Sequence, residues 1–207
     1  SFVLLSRILL QSLSEKCIVL SMKLWIFVIL IDFSSRPGNI VTSNPVTEGQ
    51  EVVQNLIDRC STIQENDLIF VLDRSQGIAG RGWAVVVNFV KDILENFVVD
   101  RLNTRVAVIT FGTTVRVDIN DLDPNPKTDS ENKCTVNERL SALVESQPPG
   151  LYTATSAALD AAYHVLLRSR TTSKKAIIVV THSRYNIGHS PIREAIKILS
   201  LHWSGWD

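Results

Sequence analysis

Apolar and polar positions divide the chain into two regimes. From Asp67 onward, unbroken apolar runs alternate with apolar stripes at helical spacing. The runs are Leu68–Leu72, Val106–Phe111 after Arg105, and Ala176–Val180. Runs of this length between polar ends suit strands buried on both faces of a parallel sheet. The stripes are Val86, Phe89, Val90, Ile93 and Phe97, then Ala158, Ala161, Ala162, Val165 and Leu166. Both predict helices packed by one face. Ser190-Pro191 opens another, with Ile192, Ala195, Ile196 and Leu199 on one side; Ser as cap and Pro in the first turn suit a helix start. Val115, Val117 and Ile119 alternate with Arg116 and Asp118, which predicts a half-exposed strand joined to its predecessor by a turn at Gly112-Thr113-Thr114. Strand–helix alternation predicts an α/β fold: a doubly wound, mostly parallel sheet with helices on both faces. Its ligands are expected at the carboxyl ends of the strands.

Before Asp67 the pattern differs. Met22-Lys23 precedes eight apolar residues, Leu24–Ile31, and small residues follow at Ser34 and Ser35. A short positive start and a short apolar core read as a secretory signal peptide over 22–36. The run is too short to span a bilayer. Residues 1–21 read as upstream translation or leader; the alternative is an N-terminal anchor made of both segments. Residues 37–66 read as a Pro/Gly-containing linker and a short helix from Thr47 to Cys60, and 67–207 as the main domain. A secreted location follows, with no membrane span in the mature chain.

Composition narrows the function. Lys+Arg and Asp+Glu are each 21, and hydrophobic residues make up 45%. The balance lacks the basic surplus of a nucleic-acid binder, and the apolar fraction supports a core. No Gly-x-Ser-x-Gly or comparable nucleophile motif accompanies His164, His182, His189 and His202, so no enzyme chemistry is expected. Gly77–Gly82 offers an alternative reading as a phosphate- or nucleotide-binding loop, but its spacing is not Gly-x-Gly-x-x-Gly. Asp121, Asp123, Asn125 and Asp129 mimic a calcium loop with Pro126 where Gly belongs and Asn132 where Glu belongs. They read as a solvated acidic loop.

The strand ends carry the informative residues: Asp73-Arg74-Ser75-Gln76-Gly77, Gly150-Leu151-Tyr152-Thr153-Ala154-Thr155, and Thr181-His182-Ser183. With Asp67–Asp73 and Thr104–Phe111 in that order and spacing, the chain resembles the von Willebrand factor type A (integrin I-like) domain family from about Asp67 onward. Within it, Thr104–Phe111, Arg116-Val117-Asp118 and Cys134 before a helix are most similar to extracellular proteins that combine this domain with sushi, EGF and pentraxin modules.

The resemblance implies a divalent-cation site, usually for magnesium, called MIDAS. Its pattern is Asp-x-Ser-x-Ser after the first strand, a Thr in a later loop and an Asp after a later strand. Asp73, Ser75 and Thr153 match; Gly77 and His182 replace the other two ligands. Magnesium prefers oxygen donors in near-octahedral array. One carboxylate and two hydroxyls predict a vestigial site that binds magnesium or manganese weakly or not at all. His182 then reads as an uncharged loop residue. The resemblance further implies an extracellular protein ligand on a face that includes Arg74, Gln76, Tyr152 and His182. Cys60 and Cys134 are expected to pair with each other or with cysteines further downstream. It also implies a further buried strand and helix after the Ser190 helix. The chain shows neither, and an apolar sheet edge beside Ala176–Val180 is expected.

Overall fold

The computed structural model describes residues 26–32, 54, 57, 65–78, 81–123, 132–146, 150–181 and 187–200. Among the described residues the strands are β1 (Ile26–Asp32), β2 (Asn66–Asp73), β3 (Thr104–Phe111), β4 (Val115–Asn120) and β5 (Lys174–Thr181). The helices with described bounds are α1 (Arg81–Leu94), α2 (Lys133–Glu145), α3 (Thr155–Leu167) and α4 (Ile192–Ser200). The sheet order is β1-β5-β2-β3-β4. All neighbours are parallel except β4, which returns antiparallel along β3 through the expected turn. The predicted doubly wound α/β class is what the chain adopts.

The pleat of β2 shows why its apolar run is unbroken. Leu68, Phe70 and Leu72 face one core with Val86, Val90 and Ile93 of α1 and Val136 and Leu140 of α2. Ile69 and Val71 face the other, with Ala158, Leu159, Ala162 and Val165 of α3 and Ile198 of α4. Successive side chains point to opposite faces, so a strand with helices on both sides must be apolar throughout. Strand β5 divides the same way: Ala176, Ile178 and Val180 join the first core, and Ile177 and Val179 the second. The alanines of α3 let that helix approach the sheet closely. Local signals fix the helix ends. The Asn132 side chain accepts from Thr135 N–H at 3.0 Å to cap α2, and Ser190 Oγ accepts from Ile192 N–H at 3.5 Å.

Two expectations change. The edge of β5 is not left open: β1 pairs with it in parallel register from Ile26↔Lys175 to Asp32↔Thr181. The stretch whose pattern reads as the core of a leader thus stands in the sheet as a strand. An apolar run of seven or eight residues satisfies either role, and sequence pattern does not separate them. Helix α2, implied only by the position of Cys134, packs against the first core through Val136, Leu140 and Leu143. Of the helix expected over Thr47–Cys60, Gln54 and Ile57 are helical, and Ile57 packs against the first core. Its other residues lie outside the described ones.

Candidate functional site

The carboxyl end of the sheet gathers three of the expected side chains. Asp73, the last residue of β2, is fully buried. One carboxylate oxygen accepts from Ser75 N–H at 2.9 Å, the other from Thr181 Oγ1 at 2.8 Å. Thr181 ends β5, and the parallel β2–β5 register delivers its hydroxyl to Asp73. Sequence reading missed Thr181, because its role depends on which strand lies beside β2.

Ser75 follows in a tight turn and is 2% exposed. The turn is closed by Ile78 N–H donating to Ser75 C=O at 3.0 Å, with Gly77 in a short 3-10 helix. Ser75 Oγ has no hydrogen-bond partner among the described residues. A buried hydroxyl left unpaired is costly, and such groups are rare without a ligand or water to meet them.

Thr153 is buried as well. Its loop is fastened to the β3–β4 turn: Ala154 N–H donates to Gly112 C=O at 2.9 Å, and Tyr152 N–H to Thr113 Oγ1 at 3.2 Å. Gly150 makes that approach possible. Its φ is +134°, and a Cβ there would lie 2.2 Å from Thr113 Oγ1. Only glycine takes this conformation without strain and leaves that space free.

The face expected around these residues is partly corrected. Arg74 is not on it. Its side chain is turned inward and buried, donating from Nη1 to Ser146 Oγ at 2.6 Å. The guanidinium lies over the Trp83 ring, 4.9 Å from the centroid, and Trp83 Nε1 donates to Leu143 C=O at 2.9 Å. Burial holds its pKa below the usual arginine value; Asp118 opposes that shift and Arg116 adds to it. Its charge therefore anchors the Asp73 turn to α1 and the end of α2. Gln76 and Tyr152 are exposed. His182 and Cys60 lie outside the described residues. Cys134 carries a free, exposed thiol at the start of α2.

The other candidates resolve into local structure. Asp121 is buried, not solvated, and pairs with Arg139 at 3.4 Å. Asp123 meets Arg168 at 3.8 Å, and Asn132 is spent on the α2 cap. Asn125 and Asp129 lie outside the described residues. Gly82 is the second residue of α1, and a Cβ there would make ordinary contact with Ile78 at 3.6 Å. His164 is exposed on α3, 3.6 Å from Asp160, and His189 is exposed just ahead of Ser190.

A hard cation is the group these donors fit: one buried carboxylate and two buried hydroxyls, one of them unpartnered. Asp73, Ser75 and Thr153 would hold it. Among the described residues, no group of three or more His, Cys, Asp or Glu is placed to hold a metal ion.

The profile of the von Willebrand factor type A domain matches residues 67–200. The chain belongs to that family. As a type A domain it is similar to the sushi, von Willebrand factor type A, EGF and pentraxin domain-containing protein 1 of Mus musculus. The two are 27% identical over 132 residues, covering 63% of this chain and 4% of that protein; the Rattus norvegicus protein of the same name gives the same figures. The chain thus corresponds to a small fraction of those relatives' length. Among solved structures, manganese-loaded TRAP protein of Plasmodium vivax superposes with a TM-score of 0.57 at 18% identity, over 69% of this chain and 55% of that one. Proximal thread matrix protein 1 from the mussel byssus, with a zinc-occupied MIDAS motif, does so with a TM-score of 0.57 at 19% identity, over 88% and 56%. At these identities the type A fold is what is shared. Among the described residues, no helix is long and apolar enough to cross a membrane.

Proposed function

We propose that the chain is an extracellular, adhesion- or matrix-type protein-interaction domain. Its ligand face is the carboxyl end of the sheet, and its cation site is degenerate and weak. The observation that carries this reading is the buried Ser75 hydroxyl without a partner beside the buried Asp73 carboxylate. A buried hydroxyl with no partner among the described residues is a group that a ligand or a water would meet. Family membership supports the interaction role, and the manganese- and zinc-loaded neighbours support a cation at this end of the fold.

When bound, the cation would supply an electropositive centre that a partner's carboxylate can complete. The chain's own residues set how weakly it is held. Asp73 is the one carboxylate of the set, its oxygens already accepting from Ser75 N–H and Thr181. The Gly77 substitution withholds a hydroxyl. Gln76 and Tyr152 supply exposed polar surface around the site. No catalytic step is proposed.

The test is the thermal midpoint of the full chain in EDTA, then with magnesium, manganese, calcium or zinc, beside Asp73→Ala. A ligand bound only by the folded state raises the midpoint. A rise of a few degrees with millimolar manganese or magnesium, lost in Asp73→Ala, supports the cation site. An unchanged midpoint at all concentrations would leave a metal-independent interaction domain.

A further inference from the structure

Arg74 continues the alternation of Leu68, Phe70 and Leu72, and its side chain turns to their face of the sheet, between Trp83 of α1 and Ser146 at the end of α2. It is 3% exposed. A guanidinium carries five N–H donors, and among the described residues Ser146 Oγ is the one hydrogen-bond acceptor that the Arg74 guanidinium meets. No carboxylate among them pairs with it. Arg105 shows what a buried guanidinium receives elsewhere in the chain: both oxygens of Asp67, at 2.9 Å each. The acidic residue whose charge acts on Arg74 is Asp118, and that carboxylate is already engaged. Thr110 Oγ1 donates to one of its oxygens at 2.5 Å, and Arg116 Nη2 stands 3.1 Å from the other. Arg116 acts on Arg74 as a second cation. Two guanidiniums thus share one carboxylate, and burial lowers the Arg74 pKa by more than Asp118 restores. A buried charge without a counter-ion is costly. The Arg116 side chain is 51% exposed, so the group opens to solvent on that side.

We propose that Arg74 and Arg116 form an oxyanion-binding site at the carboxyl end of the sheet, which takes a carboxylate or phosphate group. The planar fork of a guanidinium matches the oxygens of either. A bound oxyanion supplies the counter-charge that Asp118 cannot give to both arginines, and acceptors for the idle N–H groups of Arg74. The site needs no cation at Asp73, so it stands or falls separately from the proposed function.

Thermal melting of the full chain tests it. The buffer is freed of metal on a chelating resin and held at one ionic strength while chloride is exchanged for inorganic phosphate or for acetate. A ligand bound only by the folded state raises the midpoint, by about 3–6 °C at about ten times its dissociation constant for a chain of this size. At least one of the two anions should give such a rise in the unmodified chain. Arg74→Met keeps a long side chain over Trp83 and removes the charge; it should show no rise with either anion. Arg116→Gln should weaken binding about threefold or more. Asp118→Asn removes the competing carboxylate and should tighten binding by a similar factor, which keeps the proposal open to refutation should Arg74→Met fail to fold. A rise with phosphate alone assigns the site to phosphate groups. A rise with acetate alone assigns it to carboxylates, such as those of an acidic protein segment. No rise with either anion, or an equal rise in Arg74→Met, would overturn the proposal, and so would unchanged affinity in Asp118→Asn.

Discussion

The two ends of β2 each hold a fully buried aspartate, and they are treated in opposite ways. At the amino end, Asp67 is saturated. Arg105 reaches it with two hydrogen bonds of 2.9 Å, Arg170 adds one at 3.1 Å, and Ser173 Oγ donates at 2.5 Å. Arg170 also donates to the carbonyls of Asn66, Leu102 and Asn103. Lys175 stands nearby, its Nζ donating to Arg170 C=O, and burial holds its pKa down against the pull of Asp67. At the carboxyl end, Asp73 is met by a backbone N–H and a hydroxyl, and the adjacent Ser75 Oγ is left over. An ionic network ties β2, β3 and the start of β5 together. The hydrogen bonds to Asp73 come from uncharged donors. Burial alone does not distinguish the two carboxylates; the charge of the donors around them does.

The sharpest way to break this comparison is to neutralise each aspartate in turn. Asp67→Asn leaves the buried Arg105 guanidinium without its counter-charge and should cost about 3–5 kcal/mol, read as a lower urea midpoint at unchanged slope. Asp73→Asn should cost less than half of that and abolish any cation-induced rise in the melting midpoint. Equal losses from the two would mean that both ends are structural. Gly150→Ala comes next. A positive φ and a 2.2 Å approach to Thr113 predict about 1–3 kcal/mol of strain and a displaced Thr153. Ser75→Ala is expected to be nearly neutral in EDTA, or stabilising by up to about 1 kcal/mol, since it removes an unpaired buried group. Titration with manganese should nevertheless weaken. A large loss of stability in EDTA would show that the hydroxyl has a structural partner.

The smallest effect is in acid. Hydrogen bonds from Asn103 N–H, above all, hold the Asp100 carboxyl below its ordinary range; burial opposes them, and the Asn103 side chain, Leu102 N–H and Arg170 reinforce them. A depressed folded pKa means that this contribution is complete above the unfolded value of about 3.9 and fades as pH falls through the lower folded one. Asp100→Ala should therefore narrow its stability gap from the unmodified chain as pH drops from 5 to 2, measured by urea denaturation. A gap constant across that range would assign the loss to packing instead.

Much of the fold was legible because burial on two faces imposes an apolar code that local sequence cannot hide. Leu68–Leu72, Val106–Phe111 and Ala176–Val180 announced central strands, and the stripe from Val86 to Phe97 announced α1. Family spacing singled out Asp73, Ser75 and Thr153, and the fold buries all three. What escaped was set by distant partners. Arg74 looked like a surface cation beside a metal site, yet Ser146, 72 residues away, and Trp83 draw it inward. Thr181 acquired its role from strand order, and Asp121 its burial from Arg139.

The sequence by itself determined which segments must be buried, which must turn, and which side chains at the strand ends carry oxygen donors, because these follow from periodicity and side-chain chemistry. The tertiary structure alone decided what each donor faces and which segment fills the β5 edge. An apolar stretch such as Ile26–Ile31 gains free energy from leaving water in any apolar setting. Hydrophobicity has no direction, and only the backbone hydrogen bonds of β5 select a strand in one register.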